Sequence, residues 1–255
     1  MTTLVVTDLT VHRGSLAVVD HLSFTVTGGA VLALIGPNGA GKSTAFKGML
    51  GLVPATGTVY LDGVNLLSLA PQMRARRVAW VPQRSRLAAA LSCTNVVAQG
   101  RFAHTGGLGR LSDHDAKAVD QALTDTDARH LAHRAFTTLS AGEQQRVLLA
   151  RALATGAEVI LMDEPTAALD VGHALALLAL VRRLAAAGRA MVVVLHQLDE
   201  VRRVADRALL LDRGHTISHG SVDDVLSSEP LRRVFGVTPI PNGALGFALA
   251  EGTCV

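Results

Sequence analysis

Near the N-terminus, apolar and polar residues follow a pattern typical of short β-strands. Alternation is clearest in TLVVTDLTV (3–11), and HLSFTV (21–26) and TVYLDG (58–63) are further strand-like runs. AVLALIG (30–36) and VAWVPQ (78–83) are instead almost continuously apolar. A continuous run is expected for a strand that is buried on both faces. The pattern therefore predicts half-exposed strands together with fully buried ones.

The character changes to helical and polar from about residue 84 to residue 155. Within this segment, SDHDAKAVDQALTDTDARHLAHR (112–134) predicts two helices. We expect the first helix to begin at a Ser112 cap and the second at an Asp125 or Asp127 cap.

Strand-like runs return in EVILMDEP (158–165), AMVVVLH (190–196) and RALLLDRGHTISHG (207–220). Between the first two lies VGHALALLALVRRLAAAG (171–188), which predicts a helix that ends at Gly188. Strands that alternate with helices indicate an α/β domain with a mainly parallel sheet.

The chain end has a different composition. After Gly236 it carries Pro239, Pro241 and several glycines, and we expect an extended appendage there, at 237–255. The preceding residues, 1–236, are predicted to form the main domain.

Composition restricts the class of protein. The chain has 255 residues, 49% of them hydrophobic, yet no apolar run approaches the 18 or more residues of a membrane span. Its first residues lead directly into a strand-like pattern, so we expect no signal peptide. Cys93 and Cys254 lack metal-ligand spacing, which favours a reduced cytosolic setting. The net charge is only +3, without a basic tract, so nucleic acid is not an expected partner.

The strongest chemical motif is GPNGAGKST, which fits G-x-x-x-x-G-K-[ST] between a predicted strand and a predicted helix. In such a loop the backbone N–H groups surround the β-phosphate, the lysine bridges the β- and γ-phosphates, and the serine hydroxyl ligates Mg²⁺. The predicted nucleotide-binding residues are Gly36, Pro37, Asn38, Gly39, Ala40, Gly41, Lys42, Ser43 and Thr44.

A pair of acids ends one of the buried strands. VILMDEP (159–165) places Asp163 and Glu164 directly after four apolar residues. We expect Asp163 to hold Mg²⁺ through water and Glu164 to orient and deprotonate the attacking water. With the phosphate loop, this pair indicates a P-loop ATPase.

Further motifs narrow the class. GPNGAGKS, the glutamine of WVPQ, LSAGE, LMDEP, AALD and the histidine of VVVLHQ occur in this order. The set resembles the nucleotide-binding subunit of ATP-binding cassette (ABC) transporters over nearly the whole chain. This resemblance implies a P-loop NTPase (RecA-like) core with a mainly parallel sheet, an N-terminal antiparallel β subdomain and an α-helical subdomain inserted at about 84–155. It also implies ATP and Mg²⁺ as cofactors.

The same resemblance assigns roles to residues outside the loop. Gln83 would reach the Mg²⁺ and the water, and His196 would contact the γ-phosphate beside Glu164. Asp170 would contact an opposing subunit. The signature LSAGE begins a helix that would serve the ATP of that second subunit, through Ser140, Ala141, Gly142 and Glu143.

Three positions depart from the family pattern. His12 stands where relatives usually place an aromatic residue that stacks on adenine, and imidazole offers a smaller stacking area. Ala141 replaces the usual glycine of the signature. Gln197 replaces the usual aspartate after the histidine, so an ion pair made there by relatives would be missing.

Finer resemblance indicates import. ALSCTNVVAQGRFAHTGGLGRLS (90–112) and the run from VVVLHQ to VFGV (192–237) are similar to subunits that serve iron–siderophore, haem and vitamin B12 uptake. The implied partners are transmembrane permease subunits, a second copy or a related ATPase subunit and, indirectly, an extracytoplasmic substrate-binding protein. The implied location is peripheral, at the cytoplasmic face of the membrane. The alternatives are an ABC exporter subunit and a soluble ABC ATPase acting on nucleic acid or ribosomes.

Overall fold

A computed structural model describes residues 1–83, 91–105, 111–239 and, for the backbone, 247–249. Its N-terminal layer is an antiparallel sheet. The sheet has the order β2–β1–β4–β5, with β1 at Thr3–Arg13, β2 at Leu16–Thr27, β4 at Ala55–Leu61 and β5 at Val64–Asn65. Burial alternates along its strand β2, where Leu22, Phe24 and Val26 point into the core.

The central layer is a six-stranded sheet in the order β10–β9–β3–β8–β7–β6, in which only β10 is antiparallel to its neighbour. The carboxyl ends of its parallel strands meet at one edge, where ligands of open α/β sheets bind. Its strands are β3 (Val31–Ile35), β6 (Val78–Val81), β7 (Val159–Asp163), β8 (Ala190–Val194), β9 (Arg207–Asp212) and β10 (His215–Ser221).

Helices cover the central sheet, and those between β6 and β7 form the predicted helical insertion. These four are α3, α4, α5 and α6, of which α6 carries the signature motif. The helices are α1 (Lys42–Met49), α2 (Pro71–Ala75), α3 (Cys93–Ala98), α4 (Phe102–Thr105), α5 (Asp113–Asp125), α6 (Ala141–Ala154), α7 (Val171–Ala186), α8 (Leu198–Val204), α9 (Val222–Val225) and α10 (Ser228–Phe235).

The core consists of one hydrophobic cluster on each face of the central sheet. Alternate residues of β3 enter different clusters: Val31, Ala33 and Ile35 pack with the helices, while Leu32 and Leu34 pack with α1 and the N-terminal sheet. Each of these five side chains is buried. The continuous apolar run of β3 thus follows from burial on both faces.

One expected helix is absent. Helix α5 begins after Ser112, as predicted, but no α-helix begins at Asp125 or Asp127. Asp127 instead adopts a left-handed conformation with φ of 55°, which stops the helix, and a single 3₁₀ turn follows at Arg129–Leu131. The cap prediction was wrong because an aspartate also favours the left-handed position after a helix.

Two C-terminal expectations are also refined. The run 207–220 is not one strand but the hairpin of β9 and β10, which turns at Arg213 and Gly214 with φ of 46° and 86°. In the appendage, β11 (Val237–Pro239) pairs antiparallel with β12 (Phe247–Leu249). The remainder of the appendage lies outside the described residues.

Candidate active site

The phosphate loop connects β3 to α1 and has a backbone that only glycine can form at two points. A Cβ added to Gly36 would lie 2.1 Å from the carbonyl oxygen of Leu211, and one added to Gly41 would lie 2.4 Å from that of Val18. Both glycines also have positive φ, 148° and 103°. Backbone packing against neighbouring strands therefore fixes the loop before any ligand binds.

Lys42 is the buried cation of the loop. Its ammonium donates to the carbonyl oxygens of Gly36 and Pro37 at 2.7 and 2.8 Å, which leaves one of its three N–H groups for a further acceptor. Burial lowers the pKa of Lys42, and the charges of Glu164 and Asp163 oppose that shift. The lysine is thus held inside the loop, where a phosphate oxygen can replace a carbonyl.

Asp163 ends β7 with an unsatisfied oxygen. The residue is 4% exposed, and its Oδ1 has no hydrogen-bond partner. Burial raises the pKa of this carboxyl, and a hydrogen bond from Ser43 opposes the shift. A carboxylate oxygen without a partner beside a serine hydroxyl suits a hard divalent cation such as Mg²⁺.

The protein side chains alone do not make a complete metal site. No group of three or more His, Cys, Asp or Glu side chains in the described part of the chain could hold a metal ion. Mg²⁺ usually binds through one or two carboxylates together with substrate phosphates and waters. Ser43 and Asp163 therefore fit an ion that arrives with a nucleotide.

Glu164 is the point where the predicted catalytic residues meet. Its Oε2 accepts a hydrogen bond from the Gln83 side-chain amide, and its Oε1 lies 2.5 Å from Nε2 of His196. Glu164 has a φ of 48°, uncommon for a residue other than glycine, and its side chain is only 14% exposed. The structure thus brings Gln83, Glu164 and His196 together at the sheet edge.

Glu164 also borders a cavity of about 290 Å³. None of the signature residues Ser140 to Glu143 is among the residues that line this cavity. The lining consists of Arg13, Val18, Asn38, Gly39, Ala40, Gly41, Lys42, Ser43, Thr44 and Glu164.

The signature residues form the capped N-terminus of α6. The backbone N–H of Ser140 donates to Oε2 of Glu143 at 2.8 Å, and the Ser140 hydroxyl accepts from the Glu143 N–H at 3.3 Å. Arg134 also pairs with Glu143 at 3.0 Å. These bonds, the Ser140 N–H foremost, lower the pKa of Glu143. The signature side chains are therefore satisfied within their own chain.

Asp170 lies beside the signature rather than beside the phosphate loop. It caps α7, accepting from the backbone N–H of His173 at 2.9 Å, and it also pairs with the ring of that histidine. The ring packs on Gly142, where an added Cβ would lie 2.8 Å from its Cδ2. Asp170 and the signature thus share one surface of the molecule.

Comparison with known proteins identifies the family. The sequence profile of the ABC transporter family matches residues 19–167, more than half of the chain. The chain belongs to the ABC transporter family. The sequence-based assignment is therefore confirmed, and so is the P-loop NTPase fold.

Individual ABC proteins agree with this result. The hemin import ATP-binding protein of Nocardia farcinica is 44% identical over 221 residues, 86% of this chain and 75% of that protein. The cobalamin import ATP-binding protein of Halobacterium salinarum is 40% identical, over 91% of this chain but only 58% of its own length. A solved ABC transporter described as metal-chelate type, in an inward-facing conformation, has a TM-score of 0.83 at 29% identity and covers 98% of this chain and 96% of its own.

As an ABC ATP-binding subunit, the chain binds nucleotide and hydrolyses ATP to drive transport. Among the helices that the structure describes, none is long and apolar enough to cross a membrane.

One residue of the cavity lies outside the predicted set. Arg13, the neighbour of His12, lines the cavity, and both residues are exposed. The stacking of His12 on adenine stays a prediction. Neighbouring residues of a strand point to opposite faces, and a bulge between Val11 and His12 shifts the register. Nothing in the local sequence locates such a bulge, so Arg13 could not be identified.

A buried pair behind the catalytic residues, Thr166 and Glu200, was not predicted from the sequence. Thr166 donates from its hydroxyl to Oε2 of Glu200 at 2.7 Å, and both residues are buried. Burial raises the pKa of Glu200. This bond ties the loop after Glu164 to α8, the helix after His196.

Proposed function

We propose that this chain powers the import of metal chelates such as iron–siderophore complexes, haem or cobalamin-type compounds. We infer the importer class from two relatives, one named for hemin import and one for cobalamin import. One observation supports the proposed mechanism of ATP hydrolysis: Glu164 is held by Gln83 and His196 at the wall of the cavity that contains Lys42.

The residues in and beside the cavity have separate roles in hydrolysis. Lys42 would exchange a loop carbonyl for phosphate oxygens and bridge the β- and γ-phosphates. Glu164 would accept the proton of the attacking water, while Gln83 and His196, which both contact its carboxylate, keep that carboxylate in position. His196 would in addition contact the γ-phosphate.

Ser43 and Asp163 would hold Mg²⁺, Asp163 through water, and Gln83 would reach the ion and the attacking water. When bound, Mg²⁺ would neutralise charge on the β- and γ-phosphates as the bond between them breaks. The free Oδ1 of Asp163 supports this assignment.

The site requires a second subunit. The signature residues lie outside the cavity of their own chain, yet they begin a helix whose first backbone N–H groups have no intrahelical acceptors. A second copy, or a related ATPase subunit, would place Ser140, Ala141 and Gly142 against the γ-phosphate, with Glu143 as their cap and Asp170 at the subunit contact. A helix terminus contributes roughly 0.3–2 kcal/mol toward an anion. ATP binding would close this dimer, and hydrolysis would reopen it.

Replacing the proposed base tests this mechanism. We expect Glu164→Gln to bind ATP and to dimerise while its turnover falls at least about 100-fold, since general base catalysis is typically worth this much. Phosphate release gives turnover, and sedimentation gives the dimer. The control is Glu158→Gln, at the opposite end of β7, where Glu158 pairs only with Arg77 in the described part of the chain.

Full activity of Glu164→Gln would contradict the assigned role. If turnover of Glu164→Gln falls as expected but no ATP-dependent dimer forms, the role of Glu164 as the base stands and the composite site is refuted. These two outcomes separate the chemistry from the assembly.

The partners and cargo extend the proposal beyond this chain. We place the cassette at residues 1–236, with its helical subdomain at about 84–155 and the appendage at 237–255. It would sit peripherally at the cytoplasmic face, on transmembrane permease subunits that receive cargo from an extracytoplasmic binding protein.

The cargo can be tested by measuring the ATPase activity of the reconstituted complex with haem, siderophores and cobalamin. Stimulation by none of them would refute the metal-chelate cargo.

A further inference from the structure

The motif GRFAH, at residues 100–104, marks the resemblance to importers but does not line the nucleotide cavity. Its residues lie instead at the C-terminal end of the signature helix α6. Gly100 packs so closely there that an added Cβ would lie 2.3 Å from the carbonyl oxygen of Arg151. Only glycine permits this approach, so the motif is fitted to the helix end.

Two side chains of the motif bind the last carbonyls of α6. Arg101 Nη1 donates to the carbonyl oxygen of Ala154 at 2.8 Å, and Nε2 of His104 lies 2.8 Å from that of Thr155. A carbonyl oxygen only accepts, so His104 carries its proton on Nε2. The final carbonyls of a helix have no intrahelical donors. The motif therefore supplies the donors that this end of the helix lacks.

Arg101 also connects α6 to a second helix. Its Nε donates to Oδ1 of Asp115 at 2.8 Å, and both side chains are more than nine-tenths buried. The other oxygen of Asp115 accepts from the Ser112 hydroxyl at 2.7 Å in the cap of α5. Hydrogen bonds from Ser112 and Arg101 hold the pKa of Asp115 well below its usual range. Arg101 is thus a buried cation that links two helices of the insertion.

The motif is also held from the other side. Nε of Arg76, the residue after α2, donates to the carbonyl oxygen of Ala103 at 2.9 Å. The segment therefore has fixed partners on α5 and α6 and next to α2, which belongs to the part of the chain before the insertion.

We propose that Arg101 and His104 are positioning residues that fix the C-terminal end of α6. They thereby orient its N-terminal end, with Ser140, toward the ATP of the second subunit. This inference rests on the composite site proposed above. Apolar packing of α6 is non-directional, whereas hydrogen bonds at its end define its tilt. The helix has 14 residues. It is therefore about 21 Å long, and a tilt of about 10° at one end moves the other by about 4 Å, more than a hydrogen-bond length.

His104 gives the cleaner test because it is exposed and its replacement leaves no buried charge. In a Glu164→Gln background of the full chain, sedimentation measures ATP-dependent dimerisation and calorimetry measures ATP affinity. We expect His104→Leu to weaken dimerisation about three- to tenfold with ATP affinity and melting temperature unchanged. His104→Gln, whose amide donates from a similar place, should restore dimerisation to within about twofold.

The matched control is His114→Leu, because His114 is an exposed histidine of α5 whose side chain makes no hydrogen bond among the described residues. It should leave dimerisation unchanged. Arg101→Lys keeps a cation opposite Asp115 but cannot contact Ala154 in the same planar geometry. With Glu164 intact, we expect this variant to lower kcat at least threefold while KM for ATP stays unchanged.

Equal dimerisation of His104→Leu and its parent would overturn the inference. So would a parallel loss of ATP affinity and melting temperature, which would indicate a role in folding alone. Failure of the Glu164→Gln parent to dimerise would overturn the composite site itself, and this inference with it.

Discussion

The phosphate loop and the signature motif both lead into a helix, but they treat their own polar groups differently. Helix α1 has no side-chain cap, and Lys42 is held only by two loop carbonyls. Helix α6 carries a full capping box between Ser140 and Glu143. The loop is thus prepared for a ligand, whereas the signature is satisfied by its own residues.

This difference bears on how a composite site would work. The Ser140 hydroxyl lies 3.0 Å from Oε2 of Glu143, so a phosphate that takes this hydroxyl as a donor must compete with a carboxylate. The Glu143 N–H already donates to the Ser140 hydroxyl, but the backbone N–H groups of Ala141 and Gly142 remain available without such a competition. We therefore expect the loop to bind ATP first and the signature to add its donors when a second subunit approaches.

The largest predicted effect falls on the prepared half. Lys42→Ala removes the buried cation, and we expect ATP affinity measured by calorimetry to fall at least about 100-fold, equivalent to about 2.8 kcal/mol. Lys47→Ala, an exposed lysine of the same helix, is the control and should stay within about threefold. Unchanged affinity of Lys42→Ala would contradict the assignment of the loop.

The sequence predicted the loop well because its function lies in consecutive residues. A strand, Gly36–Thr44 and a helix follow one another, so local pattern is sufficient. The caps of α5 and α6 were likewise local, each set by a serine and an acid three residues later, with Ser112 and Ser140 leading. Such features need no knowledge of strand order.

The rest of the site depends on contacts between distant residues. Gln83 and Glu164 are 81 positions apart and meet because β6 lies beside β7, while His196 follows β8 on the other side. Chain order does not give strand order, so only the family resemblance brought these three together. Arg13 had no such help, because its orientation depends on a bulge in β1.

A second prediction sharpens the comparison through pH. Burial raises the pKa of Asp163, whereas the Ser140 N–H lowers that of Glu143. The contribution of Asp163 to stability is present below its ordinary pKa of 3.8 and is lost as pH rises through the raised value. Glu143 stabilises above its ordinary pKa of 4.5 and stops doing so as pH falls through the lowered value.

Near neutral pH and without nucleotide, we therefore expect opposite changes. Asp163→Asn should raise the free energy of unfolding by about 1–3 kcal/mol while abolishing hydrolysis, because it removes an unsatisfied buried charge. Glu143→Gln should lower it by about 1 kcal/mol. Denaturant titrations across pH would show both differences fading in acid. Changes of equal sign would refute the contrast between a prepared loop and a self-satisfied signature.

The smallest predicted effect concerns Ala141. This residue begins α6 with a negative φ and an exposed side chain, so nothing in its backbone requires the glycine that relatives carry. A contact made by its N–H survives either residue, and alanine favours the helix by up to about 1 kcal/mol. Ala141→Gly should change turnover less than about twofold. Gly142→Ala is the matched comparison and should lower turnover more, because its new methyl meets the ring of His173 at 2.8 Å and displaces the partner of Asp170. A large gain in Ala141→Gly would instead show that the methyl holds the two subunits apart.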